Sequence, residues 1–272
     1  MADEAPDPGQ PFVAPCRTLT AAAPLGWLRR GWRDMWAAPR QSLTYGAIVV
    51  LLSFALATIT VRYGGYFELL ALVTGFILIA PVLAVGTYAI SLQLERGEVP
   101  SIRRCIREEQ RAVGNLLVFA LMLMVVFLVW ARAASAIHIF MPLDESSGWQ
   151  DYLTFFVVGT AVGSMFAAVV FSSAAFSLPF MVDRRVDTVT AVVTSVNAVL
   201  RNKAAMLVWA GCLVAAVAPG FALLSIGAPQ GLTPAWVMVG LGITLPLIGH
   251  ATWHAYRETI DAGAWPPNEA PE

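Results

Sequence analysis

Two histidines that could do chemistry stand four residues apart in GHATWHAYRE, at the end of the last long apolar stretch of the chain. Residues four apart share one face of a helix, so His250 and His254 could bind a metal ion or ligate a haem. The third histidine, His138, follows another apolar stretch on the opposite side of the predicted membrane. The alternative is structural: His254 lies in an aromatic belt, and His250 hydrogen-bonds a neighbouring helix. The lack of a further ligand on the same side favours the structural interpretation, and no cofactor is predicted.

A second group of ionisable residues stands in FMVDRRVD, at the edge of the fourth apolar stretch. An acid at a membrane edge can be a proton or cation site. Here Asp183 is followed directly by Arg184 and Arg185, which favours an ion-paired anchor at the membrane interface. No apolar stretch carries an acidic or basic residue near its middle, which argues against a proton-coupled pump.

The motifs of soluble enzymes are missing from the sequence. It has no Walker loop, no G-x-S-x-G and no H-E-x-x-H. Its three cysteines have no C-x-x-C spacing, which argues against a disulfide framework. The chain has a single lysine, and its arginines are spread over separate loops, which argues against nucleic-acid binding. We therefore predict a protein that is not an enzyme and does not bind nucleic acid.

Membrane-spanning helices are the elements that must position these residues. The chain has 272 residues, of which 58% are hydrophobic and only 13% charged, about half the charged fraction of a soluble domain. A helix needs about 20 apolar residues to cross the hydrocarbon core of a bilayer. We predict an all-α integral membrane protein with six transmembrane helices, at about residues 42–61, 67–92, 115–131, 153–182, 205–226 and 235–256.

The distribution of basic residues predicts the orientation of these spans. Of the 17 lysines and arginines, only Arg62 and Arg132 fall on one side. By the positive-inside rule the other side is the cytosol, and it holds both termini. Residues 1–23 and 262–272 combine prolines with acidic residues, which predicts disordered cytosolic tails around a membrane domain at 24–261.

The six spans group into three similar hairpins, each preceded by an amphipathic cytosolic segment. In the first segment Leu28, Trp32, Met35 and Trp36 share one helical face, while the arginines and Asp34 lie on the other. The second and third segments are PSIRRCIREEQRAVGN and DTVTAVVTSVNAVLRNK. Such helices lie in the membrane plane with their arginines toward the headgroups. The predicted partners are therefore the lipid bilayer and its anionic lipid headgroups.

Small residues and prolines predict close packing and kinks. Gly159, Gly163 and Ala167 form a close-approach face in the fourth span, for packing inside the bundle or, as the less favoured alternative, against a second copy. Internal repeats pack about a pseudo-symmetry axis, where transporters place their sites. Each even-numbered span also contains a proline that we expect to kink it. These prolines are Pro81, Pro179 and Pro246.

Four stretches carry a resemblance to a known family: SLTYG, LERGEVPS, LPFMVDRRVDTVTAVVTSVNAVLRNKAAMLVW and GHATWHAYRE. Over about residues 24–261 the chain resembles an uncharacterised, mostly proteobacterial family of six-span integral membrane proteins. The resemblance implies a multi-pass protein of the bacterial inner membrane with no established activity. Some members are labelled cytochrome c oxidase subunit I. That catalytic subunit uses several histidines spread over many helices, and this chain has three, so the label implies a respiratory neighbourhood rather than catalysis.

Three functions remain as hypotheses. The first is a non-catalytic accessory or assembly partner of a larger membrane complex, for which a respiratory complex is the example, or a homo-oligomer. The second is a small transporter or channel for a neutral or lipid-like solute, supported by the repeats and the kinked spans. The third is a haem- or metal-binding redox protein that uses His250 and His254. The small outer loops and the absence of charge inside the spans favour the first hypothesis.

Overall fold

A computed structural model describes residues 11–63, 84–144, 147–225 and 233–268 of the chain. Within these ranges every regular element is an α-helix, which confirms the predicted all-α class for the described residues. The helices are α1 (Ala23–Ala37), α2 (Pro39–Tyr63), α3 (Val85–Glu95), α4 (Ile102–Phe140), α5 (Trp149–Asp183), α6 (Thr188–Arg201), α7 (Lys203–Ser225) and α8 (Thr233–Thr259).

Two segments within the described ranges are long and apolar enough to cross a membrane. They are Gln110–Phe140 in α4 and Trp149–Asp183 in α5, and the bent pair of α6 with Lys203–Ala218 of α7 would be a third. An apolar chain becomes helical in lipid because a helix satisfies its own backbone hydrogen bonds. Helices α2, α7 and α8 coincide with three further predicted spans. The predicted span at 67–92 lies mostly outside the described residues, which include only its end in α3.

The third amphipathic segment forms a separate helix, α6, whose axis is bent by 101° from that of α7. Its buried face consists of small and hydroxyl-bearing residues, among them Thr194, Ser195 and Ala198. Val189 and Leu200 are exposed on the outside. Asp187 caps the helix by accepting a hydrogen bond from the backbone N–H of Thr190 over 3.0 Å. The small face therefore packs on protein, and the apolar side chains near both ends are exposed.

The second amphipathic segment differs from the prediction. Helix α4 runs without a break for 39 residues, so this segment and the following span form one helix rather than two. At 1.5 Å per residue α4 is about 58 Å long, well beyond the ~30 Å of a hydrocarbon core. The junction at Gly114 and Asn115 contains no proline, and a single glycine inside a helix costs only about 1 kcal/mol. The amphipathic part of α4 is therefore a continuation of its apolar part.

The first amphipathic segment, α1, is oriented differently from the prediction. Trp27, Asp34 and Met35 lie on its buried face, whereas Trp32 and Trp36 are exposed. The prediction placed Met35 with the two outer tryptophans, and it placed Asp34 on a solvated face. The difference arises because α1 packs along α8, where polar partners for Asp34 are available.

Helix α8 is the centre of the packing and contacts α1, α2, α3, α5 and α7. Small residues allow these helices to approach closely. A Cβ atom added to Gly31 of α1 would lie 2.6 Å from the backbone nitrogen of Ala251 in α8. Gly46 of α2 lies against Gly242 in the same way, and Gly249 faces α3. The close contacts of the described bundle are therefore built around α8 rather than around the predicted glycine face of α5.

The N-terminal segment before α1 is packed rather than disordered in its described part. The backbone N–H of Arg17 donates to the carbonyl of Thr259 over 2.8 Å. The backbone N–H of Asp261 donates to the carbonyl of Pro15 over 2.9 Å. Ala14 is buried, at 1% exposure. Residues 15–17 of the predicted tail therefore lie against the end of α8. Composition suggested disorder, but these backbone hydrogen bonds need no particular side chains.

The C-terminal segment 262–268 is also packed, in contrast to the prediction of a disordered tail. Trp265 is 3% exposed, and its ring lies edge-on against that of Phe180, with centroids 5.3 Å apart. The backbone N–H of Asn268 donates to the carbonyl of Asp183 over 2.9 Å. A single large aromatic residue buries enough apolar surface to hold a short proline-rich segment in place.

The structure describes two of the three prolines that were predicted to kink helices. Pro179 lies inside α5, Pro246 lies inside α8, and Pro81 lies outside the described residues. One turn before Pro179, the hydroxyl of Ser195 accepts from the backbone N–H of Phe176 over 3.0 Å. The same hydroxyl donates to the carbonyl of Ser172 over 2.7 Å. In an unbroken α-helix the N–H of Phe176 would donate to the carbonyl of Ser172. A side chain inserted between two such backbone groups is a recognised cause of helix bending.

Candidate functional site

The two predicted histidines meet polar residues of three other helices in one network. His254 Nε2 lies 2.8 Å from Asp34 Oδ2, and the Ser91 hydroxyl donates to the same oxygen over 3.0 Å. Ser91 Oγ is also 2.8 Å from His250 Nδ1. His250 Nε2 is 2.9 Å from the hydroxyl of Ser42. This group of five residues, which we call the histidine network, joins α1, α2, α3 and α8.

The hydrogen-bond partners assign the protons of the histidine network. An ionised carboxylate only accepts, so the Ser91 hydroxyl uses its proton on Asp34. His250 Nδ1 must then donate to Ser91 Oγ, which leaves His250 Nε2 to accept from the Ser42 hydroxyl. A neutral His250 thus has both ring nitrogens satisfied. The chain of bonds has one consistent direction, from Ser42 through His250 and Ser91 to Asp34.

The histidine network lies almost entirely inside the protein. Ser42 and His250 are 0% exposed, and Asp34 is 6% exposed. Burial by itself raises the pKa of the Asp34 carboxyl, but the hydrogen bonds and charge of His254 and the hydroxyl of Ser91 outweigh it, so this pKa lies below its ordinary value. Asp34 is therefore held as a carboxylate in a buried site. The free-energy cost of burying this carboxylate is offset because hydrogen bonds within the protein replace those with water.

A metal or haem iron shared by the two histidines would need a lone pair from each, and His250 has none to spare. Both ring nitrogens of His250 contact serine hydroxyls, and His254 Nε2 contacts Asp34. Among the residues that the structure describes, no group of three or more His, Cys, Asp or Glu side chains is arranged to hold a metal ion. What the geometry supplies is a set of directional bonds between four helices, with the Nε2 atom of His254 next to the carboxylate of Asp34.

A second cluster, the arginine cluster, lies around the predicted residue Asp183. Its Oδ2 atom accepts from the Tyr256 hydroxyl over 2.7 Å, from Arg184 Nε over 3.0 Å and from Arg257 Nη1 over 3.3 Å. Arg257 also pairs with Glu95, at 2.7 Å. The structure thus places Asp183 and Arg184 together, and it adds partners from α3 and α8. At 5% exposure Asp183 is part of the protein interior.

Arg185 is placed differently from its two neighbours. Its side chain is exposed, and its backbone N–H donates to the carbonyl of Pro266 over 2.9 Å. The guanidinium of Arg184 donates to the carbonyl of Trp265 over 3.0 Å. The two arginines that follow Asp183 therefore hold the C-terminal segment against the end of α5.

The same end of the bundle holds two further polar contacts. Glu258 accepts from the indole N–H of Trp27 over 3.2 Å and pairs with Arg30, which joins α1 to α8. Gln93 donates to the buried carboxylate of Glu108 over 3.1 Å and accepts from the backbone N–H of Ser101, which joins α3 to α4. Side-chain hydrogen bonds therefore connect α1, α3, α4, α5 and α8 at one end.

The predicted glycine face of α5 has no close neighbour in the described part of the chain. A Cβ atom added to Gly159 or Gly163 would have no other atom within 4 Å, apart from its own helix. Ala167 is exposed. The residues at 64–83 are not described, so the partner of this face stays a prediction.

Sequence reasoning found both histidines but missed Asp34, Ser42 and Ser91. Asp34 was read as one of the charges on a solvated face, and the two serines stand in stretches that differ little from other apolar spans. Asp34 and His254 are 220 residues apart, so no spacing rule links them. The one available signal was an acidic residue among the arginines and tryptophans of an otherwise basic helix.

Comparison with known proteins gives one similarity. Residues 69–183 match a family described as "Predicted integral membrane protein (DUF2189)". The match supports an integral membrane protein that resembles a family of uncharacterised function, as the sequence predicted. No curated protein matches the chain, and no solved structure does.

Proposed function

We propose that this integral membrane protein is a non-catalytic accessory or assembly partner of a larger complex in the bacterial inner membrane. The observation that carries the proposal is the interlocked end of the bundle. Buried carboxylates there, such as Asp34, Asp183 and Glu108, are bound by side chains of other helices. Buried carboxylates that are bonded to side chains of other helices favour one arrangement of those helices. Such an end suits a surface that must keep its shape for a partner.

The proposal includes a topology of six spans with both termini in the cytosol. It is supported by the basic residues, 15 of 17 of which fall on the proposed cytosolic side, and by the helices at five of the six predicted positions. The three hairpins would be copies of one unit, with α1 and α6 as interfacial helices. Fusions of a periplasm-only reporter after Glu272 should be inactive, and fusions in the loop after Phe140 should be active. The reverse pattern would overturn the topology.

Co-purification tests the accessory role directly. The tagged protein is extracted from its native membrane in mild detergent, and the recovered proteins are quantified by mass spectrometry. An unrelated six-span protein with the same tag and expression level is the control. Subunits of one membrane complex in near-equal amounts, absent from the control, are the expected result. Recovery of the protein alone, or only with itself, would contradict the proposal.

A transporter or channel for a neutral or lipid-like solute is the second candidate. One observation favours it: Asp34 is ionisable, buried and bound to His254 between helices, and such residues commonly mark pathways through membranes. Proteoliposomes loaded with a neutral fluorescent solute give a test. Faster release of the solute with the wild type than with Asp34→Asn would favour this candidate. The exposed Asp261→Asn variant is the matched control and should behave as the wild type.

The redox hypothesis can be decided on the same purified material. A Soret band or a stoichiometric metal that disappears in both His250→Ala and His254→Ala would support a ligand role for the pair. A spectrum without a Soret band, together with a metal content below the protein concentration, would leave the accessory role and the transporter role as the two candidates.

A further inference from the structure

The outer face of α1 carries tryptophans and arginines side by side. Leu25, Arg29, Trp32, Arg33 and Trp36 are all exposed. At 3.6 residues per turn these five positions fall within an arc of about 100°. The rings of the two tryptophans contact each other edge to face, with centroids 5.7 Å apart. This outer face, defined by these five residues, is directly opposite the side that packs on the bundle.

The buried side of α1 fixes which residues point outward. Trp27 is 0% exposed and packs edge-on against Trp209 of α7, with ring centroids 5.6 Å apart. Gly31 touches the backbone of α8 at Ala251, and Asp34 is bound in the histidine network. Rotation of α1 would break all three contacts, so the outer face is held in place by the rest of the molecule.

The outer face is positively charged because the two other charged residues of this part of α1 bind partners away from it. Arg30 is paired with Glu258, and Asp34 faces inward to His254. Within the described residues, neither Arg29 nor Arg33 has a carboxylate within ion-pair distance. Two guanidinium groups are thus presented outward between exposed aromatic rings.

We propose that this outer face binds the headgroups of anionic phospholipids. A guanidinium matches a phosphate with two parallel hydrogen bonds, and tryptophan favours the headgroup level of a bilayer. Each arginine near an anionic membrane surface contributes about a fivefold preference for anionic over zwitterionic lipid. The inference rests on the proposed placement of α1 at the membrane surface. It narrows the predicted lipid contact from three amphipathic segments to one face of α1.

The test is the lipid that stays bound to the purified protein. The protein is placed in nanodiscs with equal amounts of phosphatidylglycerol and phosphatidylcholine, released into the mass spectrometer, and its bound lipids are counted. The test variant is Arg29→Gln with Arg33→Gln. The matched control is Arg103→Gln with Arg107→Gln, which removes two exposed arginines from the start of α4, outside its membrane-crossing segment. We expect the ratio of phosphatidylglycerol to phosphatidylcholine to fall about fivefold or more in the test variant only.

Other outcomes would overturn the inference. An unchanged ratio in the test variant, or an equal fall in the control, would show that the outer face does not select anionic lipid. An unchanged ratio with a shift of the particle from dimer to monomer would assign this face to a second copy. If the double variant fails to fold, the single variants Arg29→Gln and Arg33→Gln give an independent test, and each should lower the ratio. Because both leaflets of a nanodisc are alike and no partner is needed, the result does not depend on the accessory role.

Discussion

At the scale of the residue, Asp34 is the least expected feature of the molecule. A carboxylate at 6% exposure would be strongly unfavourable in an apolar environment, yet here one oxygen accepts from both His254 and Ser91. The contribution of Asp34 to the stability of the fold therefore depends on those two donors being in place. The same bonds fix the ring of His250 through Ser91, so the effect of Asp34 extends to a residue with which it makes no hydrogen bond of its own.

Replacing Asp34 by Asn should destabilise the protein by about 1–3 kcal/mol. The amide keeps the size but offers a neutral acceptor and adds two donors, which leaves a buried polar group unsatisfied. The free energy of unfolding is measured by denaturant titration in detergent micelles, followed by circular dichroism. The exposed Asp261→Asn variant should differ from wild type by less than about 0.5 kcal/mol. Equal effects of the two substitutions would show that the network does not hold the fold.

Acid should weaken the contribution of Asp34. Its pKa in the folded protein lies below the ordinary value of about 3.9, so the unfolded chain binds a proton more readily than the folded one. The contribution is complete above about pH 4 to 5 and is lost as the pH falls through the lowered folded-state pKa. The stability difference between wild type and Asp34→Asn should shrink as the pH falls below about 5. A difference that grows below about pH 5 would contradict this sign.

At the scale of the element, glycine makes the contact of α1 with α8. A Cβ at Gly31 would lie 2.6 Å from a backbone atom of Ala251, which has no freedom to move aside. Gly31→Ala should therefore force the two helices apart and cost about 1–3 kcal/mol. Gly26→Ala in the same helix is the matched control, because a Cβ there meets no atom within 4 Å. That variant should be neutral or more stable by up to about 1 kcal/mol. Similar losses in both would remove the close contact as the cause.

The comparison between sequence and structure also belongs to the scale of elements. Hydropathy located α2, α5, α7 and α8, because an apolar stretch of about 20 residues has few alternatives to a helix in lipid. Periodicity in α1 gave a helix but the wrong inner face, since the side that packs was decided by partners more than 200 residues away. The break expected before the third span is absent because no local signal requires it. Pairings across the chain were therefore beyond single-sequence reasoning, whereas helix positions were not.

At the scale of the whole molecule, the described segments that precede α1 and follow α8 lie at the same end of the bundle. Residues near Arg17 bond to Thr259, and the C-terminal segment bonds to the end of α5 near Asp183. Helix α8 lies between them and carries the residues of both polar clusters. The outer parts of α4 and α5, by contrast, have little contact with other described residues. Hydrogen bonds thus hold the described helices together at one end, an arrangement that we call the brace. The apolar surfaces of the two longest described helices are left for lipid or for other helices.

Trp265 tests whether the C-terminal segment is part of this brace. Its ring is 3% exposed against Phe180, so Trp265→Ala should remove buried apolar surface and leave a cavity, at a cost of about 3–5 kcal/mol. Trp36→Ala removes the same side chain from a site that is 57% exposed, where its ring contacts only that of Trp32 among the aromatic rings, and it should cost no more than about 1.5 kcal/mol in micelles. Limited proteolysis adds a local measure, since only the Trp265 variant should be cut more rapidly between residues 262 and 268. Equal stability and equal cleavage in the two variants would mean that the segment is not held by its tryptophan, and that the backbone bonds to Asp183 and Arg185 alone keep it in place.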